Sequence, residues 1–213
     1  MTKILLIRHG QSQANLLGVF AGHYDPALTE SGMAQAEATA DYIARNYKID
    51  KIYASDLKRA YDTAACLGRL LQMEVVKEPN LREIHAGKWE NVGFSDIQAR
   101  YPEAYDTWLR DIGNAVCVDG ESVLQLGQRV MGALEQIVKE NPGKTVAIGT
   151  HATPIRVFMS LVQTGGLTEM ANVPWVSNAS VTIAAYDNGQ WQITDASLDA
   201  HLDRLRTTLP NNV

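Results

Sequence analysis

The chain has little cysteine, no excess of positive charge and no long apolar run. Its two cysteines, Cys66 and Cys117, are too few and too far apart for a disulfide framework, so we expect reduced, mostly buried thiols. Acidic residues outnumber basic ones by 24 to 19, which argues against a general nucleic-acid binder with a basic stripe. No segment approaches the length of a membrane span.

Two further absences narrow the class of protein. The first residues lack the basic region, apolar core and cleavage site of a secretory signal, so the predicted location is cytoplasmic. His23, His85 and His201 share no ligand spacing, so no metal site is expected. What the chain does have is 46% hydrophobic residues over a length of 213, enough to bury the core of one domain spanning 1–213.

Apolar runs of strand length alternate along the chain with helical periodicity, which indicates an α/β fold with a mainly parallel sheet. Helices are predicted over 29–47, over 57–71 and from Ser122 to about Glu140. Asn188-Gly189, between two strand-like segments, is a strong hairpin signal. The predicted strands cover 3–7, 51–54, 73–76, 145–149, 180–186 and 190–196.

Local signals predict where some elements begin. Ser95 and Ser122 each precede a glutamine by three residues, the spacing of a capping box, so each is expected to open a helix. Thr153 followed by Pro154 predicts an N-cap with proline at the first helical position. The polar segment after Asp199 is expected to fray.

Two of the apolar runs end in a histidine. One run leads into Arg8-His9-Gly10 and the other into Thr150-His151-Ala152. In open α/β sheets, ligands bind in the crevice outside the carboxyl ends of the strands. The pattern therefore predicts that two imidazoles and an arginine meet where a substrate binds.

The segment at about 82–120 differs from the rest of the chain. It carries five large aromatic residues, with glycine and proline between short helical signals. We expect it to form a small helical cap over the crevice. The five aromatic residues are Trp89, Phe94, Tyr101, Tyr105 and Trp108.

The residue types near the first strand suit phosphoryl chemistry. A neutral imidazole nitrogen of His9 can attack phosphorus, and the guanidinium of Arg8 can neutralise phosphoryl oxygens in a bidentate manner. Asn15 can donate an amide hydrogen to the same oxygens. An isolated Arg-His-Gly is more often a solvated pair at a strand end, so the interpretation depends on other segments.

Three other positions strengthen the interpretation that these residues form a phosphoryl-transfer site. Arg59 falls in the first turn of a predicted helix, where backbone N–H groups already favour an anion and a merely exposed arginine is disfavoured. Glu83 is an acid within the aromatic segment, and His151 comes from the second strand.

Together these segments resemble the histidine phosphatase superfamily, the phosphoglycerate-mutase-like enzymes, from Lys3 to about Arg156. The resemblance implies a three-layer α/β sandwich with a helical cap. It rests on Arg8-His9-Gly10, Ser12, Asn15, Phe20–Asp25, Leu28–Gly32 and the pattern of Leu81, Glu83, Gly87, Trp89 and Glu90.

The resemblance also implies roles for individual residues. His9 matches the residue that is phosphorylated during turnover, and Glu83 matches the proton donor. The phosphoryl group would be bound by Arg8, Arg59 and His151, with Asn15 as an auxiliary. Further substrate contacts are predicted from Ala21, Gly22, His23 and Ala152.

The leading hypothesis is a metal-independent phosphomonoester hydrolase that needs no cofactor and acts through phosphohistidine on a small phosphorylated metabolite. One alternative is a cofactor-dependent phosphoglycerate mutase, although such mutases carry tryptophan at the position of His23 and a longer basic insertion. A catalytically silent phospho-ligand sensor is the other alternative. Two departures from the family pattern are Asn91 and the Ala152-Thr153-Pro154 step. A homodimer is possible, and no membrane or nucleic-acid partner is expected.

Overall fold

A six-stranded sheet forms the centre of the structure, a computed structural model that describes residues 1–207. The strands of the described residues are β1 (Thr2–Arg8), β2 (Val19–Phe20), β3 (Lys51–Ala54), β4 (Val75–Lys77), β5 (Val92–Gly93), β6 (Thr145–Thr150), β7 (Val181–Asp187) and β8 (Gln190–Leu198). The strand order of the central sheet is β4-β3-β6-β1-β7-β8, in which the first four strands are parallel and the last two are antiparallel to their neighbours, whereas β2 and β5 form a separate pair.

Seven α-helices and several short 3₁₀ turns connect the strands within the described residues. The predicted helices over 29–47, 57–71 and 122–140 are confirmed to within a residue or two at each end. The helices are α1 (Gln13–Leu17), α2 (Glu30–Asn46), α3 (Lys58–Leu71), α4 (Phe94–Arg100), α5 (Pro102–Arg110), α6 (Val123–Glu140) and α7 (Ala152–Thr164).

The sheet is covered on both faces because successive strand residues point to opposite sides. Ile4 and Leu6 of β1 belong to the core shared with α6 and α7, whereas Leu5 and Ile7 pack into the core formed with α2 and α3. All four side chains are almost fully buried, which explains the unbroken apolar run in the sequence. The predicted α/β sandwich with a mainly parallel sheet is confirmed.

The parallel pairing of β1 with β6 brings the two histidine-bearing loops together. The register places Ile7 opposite Gly149 and Arg8 opposite Thr150, so both strands end at the same level. The N–H of His9 then donates to the carbonyl of Thr150 (3.0 Å). The expectation that the two strand ends form one crevice is confirmed.

The segment at 82–120 builds a small aromatic cluster beside this crevice. Strand β5 pairs with β2, which joins the segment to the loop that follows β1. The ring of Phe20 makes edge contacts with Trp89 (5.6 Å between centroids), Phe94 (6.1 Å) and Trp108 (5.1 Å). Such edge-to-face packing fixes the segment against the main body.

Two predicted helix starts are wrong, and one is confirmed. Ser122 forms the expected capping box with Gln125. Ser95 caps nothing, because the chain passes directly from β5 through Gly93 into α4. Helix α7 begins at Ala152, with His151 and not Thr153 in the cap position.

The C-terminal part of the described chain is better ordered than the sequence suggested. The predicted hairpin is confirmed as β7 and β8. The expectation that the chain frays after Asp199 is wrong over 200–205, which forms a 3₁₀ turn with Leu202 buried. The carbonyl of Leu205 accepts a hydrogen bond from the Gln35 side chain (2.7 Å). The rest of that prediction concerns 208–213, outside the described residues. Over 1–207, no helix combines the length and apolarity that crossing a membrane requires.

Candidate active site

A cavity lies at the carboxyl ends of β1 and β6. It is bordered by residues from the loop after β1, from α3, from the aromatic segment and from the start of α7. The lining residues are Arg8, His9, Asn15, Val19, Phe20, Ala21, Gly22, Arg59, Glu83, Phe94, Trp108, Ala152, Thr153 and Trp175.

His9 is held in one tautomer by the backbone. Its Nδ1 lies 2.7 Å from the carbonyl oxygen of Gly10. Because a carbonyl can only accept, Nδ1 carries the proton and Nε2 keeps its lone pair. Burial, followed by the charges of Arg59 and Arg8, holds the pKa of His9 well below its ordinary value. The ring is therefore neutral near pH 7.

Gly10 is required by close packing of the backbone. A Cβ atom built at this position would lie 2.2 Å from the carbonyl oxygen of Gly32, at the start of α2. The N–H of Gly10 also donates to the Thr63 hydroxyl (3.1 Å). The carbonyl that orients His9 is thus fixed by both α2 and α3.

Two arginines place buried positive charge beside His9. Arg59 is fully buried, and its two terminal nitrogens donate to the carbonyls of Tyr24 (3.0 Å) and Gly22 (2.8 Å). Arg8 donates to the carbonyl of Val176. Burial lowers the pKa of each guanidinium to about 10, and the Glu83 carboxylate opposes that shift in both. Both arginines therefore stay charged at neutral pH, and the Nε atom of each has no protein partner within residues 1–207.

His151 is buried directly beside His9 at the end of β6. The two rings meet edge to face with centroids 5.2 Å apart. The Nε2 atom of His151 lies 2.9 Å from the Ser55 hydroxyl, and Nδ1 has no partner in the described part of the chain. Burial, then the charges of Arg59 and His9, holds the pKa of His151 well below its ordinary value.

The carboxyl group of Glu83 is held by backbone donors. Oε1 accepts from the N–H of Ile84 (2.9 Å), and Oε2 accepts from the N–H of Thr153 (3.3 Å) in the first turn of α7. This contact accounts for the early start of α7: the first-turn N–H groups of a helix lack intrahelical partners, and here one of them binds Glu83. The side chain reaches the same cavity as His9.

The backbone carbonyl of Glu83 is held by side chains from two other segments. Its carbonyl accepts from Arg129 (2.8 Å) and lies 2.9 Å from Nε2 of His23. Arg129 also binds the carbonyl of Arg82 (2.8 Å) and forms a two-point ion pair with Glu121 (2.7 and 2.8 Å). These contacts leave the acid little freedom to turn away from the cavity.

The remaining predicted substrate contacts divide into two groups. Asn15, Ala21, Gly22 and Ala152 line the cavity, whereas His23 does not and contacts the backbone of Glu83 instead. The Oδ1 atom of Asn15 is used in capping α1, so its amide nitrogen is the atom that can donate to a ligand. Within residues 1–207, no group of three or more histidine, cysteine or acidic side chains is arranged to hold a metal ion.

Several residues of the site were not found from the sequence. Ser55 follows β3 at the same edge of the sheet as His9, which is a signal that could have identified it. The sequence predicts only a helix cap at Thr153, whereas its N–H donates to the Glu83 carboxyl group. Arg129 and Trp175 come from segments distant in sequence, and nothing local to them points to the cavity.

Comparisons with known proteins agree with this geometry. The family model of the histidine phosphatase superfamily (branch 1) matches residues 4–199. The chain is 34% identical to phosphoserine phosphatase 1 of Hydrogenobacter thermophilus over 158 residues, covering 74% of each protein. It is 32% identical to a metal-independent phosphoserine phosphatase of Arabidopsis thaliana over 204 residues, covering 95% of this chain and 84% of the relative.

A solved structure shares the whole architecture. Bacillus stearothermophilus YhfR superposes with a TM-score of 0.90 at 27% identity, covering 95% of this chain and 100% of that one. The fold, the family match and the paired strand ends with their histidines lead to one conclusion. The chain belongs to the histidine phosphatase superfamily.

Proposed function

We propose that this protein hydrolyses phosphate monoesters of small metabolites through a phosphohistidine on His9. The observation that carries the proposal is the bond from Nδ1 of His9 to the Gly10 carbonyl, which leaves a neutral Nε2 beside two buried arginines. Phosphoryl transfer depends mainly on such positioning and on stabilising charge over three oxygens.

In the first step, the lone pair of Nε2 attacks phosphorus while the bond from phosphorus to the ester oxygen breaks. Arg8 and Arg59 neutralise the phosphoryl oxygens through their unpartnered Nε groups, and Asn15 adds an amide donor. In the proposed arrangement the Ser55 hydroxyl donates to Nε2 of His151, so Nδ1 of the same ring carries the proton. That N–H is the proposed donor to a phosphoryl oxygen.

Glu83 is the proposed general acid. In its protonated form it gives its proton to the departing ester oxygen, which leaves as an alcohol. In the second step the Glu83 carboxylate takes a proton from water as the water oxygen attacks phosphorus and the bond to Nε2 of His9 breaks. Inorganic phosphate is released, and both side chains return to their starting states.

The mutase and sensor alternatives fit the site less well. Among the lining residues the permanent cations are Arg8 and Arg59, so nothing further matches the second phosphate of a bisphosphate. A silent sensor would not need Glu83 in the same cavity as a pre-oriented His9. Conversion of 3-phosphoglycerate to 2-phosphoglycerate well above hydrolysis would favour the mutase.

The proposal also covers the domain organisation, location and partners of the enzyme. The segment at 82–120 acts as a cap on one domain spanning 1–213, and the two free buried cysteines suit a cytoplasmic location. The partner is a small phosphorylated substrate and not a nucleic acid or a membrane. The possible homodimer stays a prediction that analytical ultracentrifugation can test.

His9→Ala tests the mechanism. The variant is expected to lose turnover while keeping its circular dichroism spectrum, because the nucleophile is gone and the fold does not depend on it. Wild-type protein quenched during turnover should carry acid-labile, base-stable phosphate on His9. Equal rates for variant and wild type would contradict the mechanism.

Chelation tests metal independence. Because nitrogen, guanidinium and carboxyl groups of the chain supply the chemistry, hydrolysis should persist in excess EDTA. A commercial metal-dependent phosphatase in the same buffer serves as the control. If EDTA abolishes the activity and a divalent ion restores it, metal independence is contradicted.

A further inference from the structure

One part of the cavity wall is apolar. It consists of two aliphatic or small residues and a set of aromatic side chains from three separate segments. Trp108 is buried in the aromatic cluster, whereas Phe94 and Trp175 are only partly buried. The wall residues are Val19, Phe20, Ala21, Phe94, Trp108 and Trp175.

The charges in the cavity leave no partner for a second ionised group. Beside the neutral His9, the cations among the lining residues are Arg8 and Arg59, and the one acidic side chain there is Glu83, the proposed general acid. The two arginine charges match a phosphate dianion, and Glu83, which is protonated when it acts as the general acid, offers no positive charge to a carboxylate on the alcohol part. A charge buried without a partner is costly, so such an ester is disfavoured.

Trp175 is held in the wall by a buried arginine. The guanidinium of Arg156 lies over the indole ring, 3.9 Å from its centroid. The same group donates to the carbonyls of Met170 (3.0 Å) and Val173 (2.8 and 3.1 Å), and Arg156 is only 2% exposed. A cation over an indole ring is favourable, most of all when it is desolvated.

The segment that carries Trp175 is also tied to the phosphate site. The next carbonyl, that of Val176, accepts the hydrogen bond from Arg8. Asn178 and Ala179 then donate to the carbonyl of His9 (3.2 and 3.1 Å). These contacts hold the segment of Trp175 against His9 and Arg8, so the indole ring has a fixed place in the wall of the same cavity.

Resting on the proposed function, we infer that the substrates are phosphate esters of uncharged, apolar alcohols, aromatic ones above all, with Trp175 as the residue that selects them. This class differs from phosphoserine, which carries a carboxylate and an ammonium group beside the ester. The relatives named as phosphoserine phosphatases make phosphoserine the natural comparison.

The experiment compares benzyl phosphate with O-phosphoserine, both esters of alcohols and not of phenols. Binding is measured by titration calorimetry on the His9→Ala protein, and turnover on the wild type. Benzyl phosphate is expected to bind at least about tenfold more tightly, because a charged group left unpaired costs binding free energy. N-acetyl-O-phosphoserine methyl ester, which lacks both extra charges, should bind more tightly than phosphoserine.

Substitution of Trp175 identifies the selecting residue. In the His9→Ala background, Trp175→Ala is expected to raise the Kd for benzyl phosphate about tenfold and to change that for phosphoserine by less than about twofold. Trp175→Phe keeps an aromatic wall and should recover most of the affinity. Leu124→Ala, at a residue exposed on α6, is the control outside the cavity. Circular dichroism checks that each variant is folded.

The outcomes separate this inference from the proposed function. Tighter binding or faster turnover of phosphoserine, or an equal loss for both esters in Trp175→Ala, overturns the inference even when phosphohistidine forms. Hydrolysis of neither ester, with the binding preference for benzyl phosphate intact, leaves the inference standing and contradicts the proposed hydrolase.

Discussion

At the scale of the residue, the site depends on backbone atoms as much as on side chains. The tautomer of His9 is set by the carbonyl of Gly10, and the carboxyl of Glu83 is oriented by two backbone N–H groups. Backbone groups held by packed elements cost no reorganisation when charge develops. The motif residues were evident in the sequence, whereas these backbone partners depend on how loops and helix ends meet.

Glu83→Gln is expected to slow alkyl phosphates far more than aryl phosphates. An alkoxide needs a proton in order to leave and a phenolate does not, and a general acid typically contributes about 10²–10⁴-fold. The measurement is kcat/KM for an alkyl ester and for p-nitrophenyl phosphate. Glu74→Gln, at an exposed position, is the control. An equal loss on both esters would assign the acid role to another group.

At the scale of the element, helix α6 shows when a local signal is sufficient. The hydroxyl of Ser122 accepts from the N–H of Gln125 (3.1 Å), and the Gln125 side chain accepts from the N–H of Ser122 (2.9 Å). The same spacing at Ser95 forms no cap, because the pairing of β5 with β2 brings the chain into α4 two residues earlier, with Gly93 in the cap position. Strand pairing between distant segments is not visible in a four-residue pattern.

These two serines form a matched pair for stability measurements. Ser122→Ala should lower the free energy of unfolding by about 1 kcal/mol, since it leaves helix N–H groups without an acceptor. Ser95→Ala removes no cap and should change the free energy of unfolding by less than about 0.5 kcal/mol. Urea denaturation followed by circular dichroism measures both. Equal losses would contradict the cap assignment.

At the scale of the whole molecule, the fold buries two neutral histidines beside two cations. Burial and the charge of Arg59 lower the pKa of both His9 and His151 well below the ordinary value. In the unfolded chain both rings take up protons below about pH 6.5, whereas in the folded protein they remain neutral. Their contribution to stability is therefore full above that pH and is lost as pH falls through it toward the folded values.

The free energy of unfolding is expected to decrease between pH 7.5 and 5.5. Well below pH 6.5 each histidine contributes a slope of about 1.4 kcal/mol per pH unit. The difference between wild type and the His9→Asn, His151→Asn double variant, measured in urea at each pH, isolates this contribution from that of the carboxylates. If the free energy of unfolding changes with pH in parallel for the two proteins, the predicted contribution of the two histidines is contradicted.

The sequence by itself predicted the fold class and the candidate reacting groups, because apolar periodicity and the Arg8-His9-Gly10 block are local properties. The general rule that ligands bind at the carboxyl ends of parallel strands added the meeting of the two strand ends. Only the tertiary structure decided that His151 packs edge to face against His9, that His23 contacts the backbone of Glu83 and that Trp175 joins the cavity wall. Those placements depend on contacts between segments far apart in the chain, such as Arg156 with Trp175 and Arg129 with Glu83. No local pattern encodes such contacts, because their energy exists only once the elements have packed.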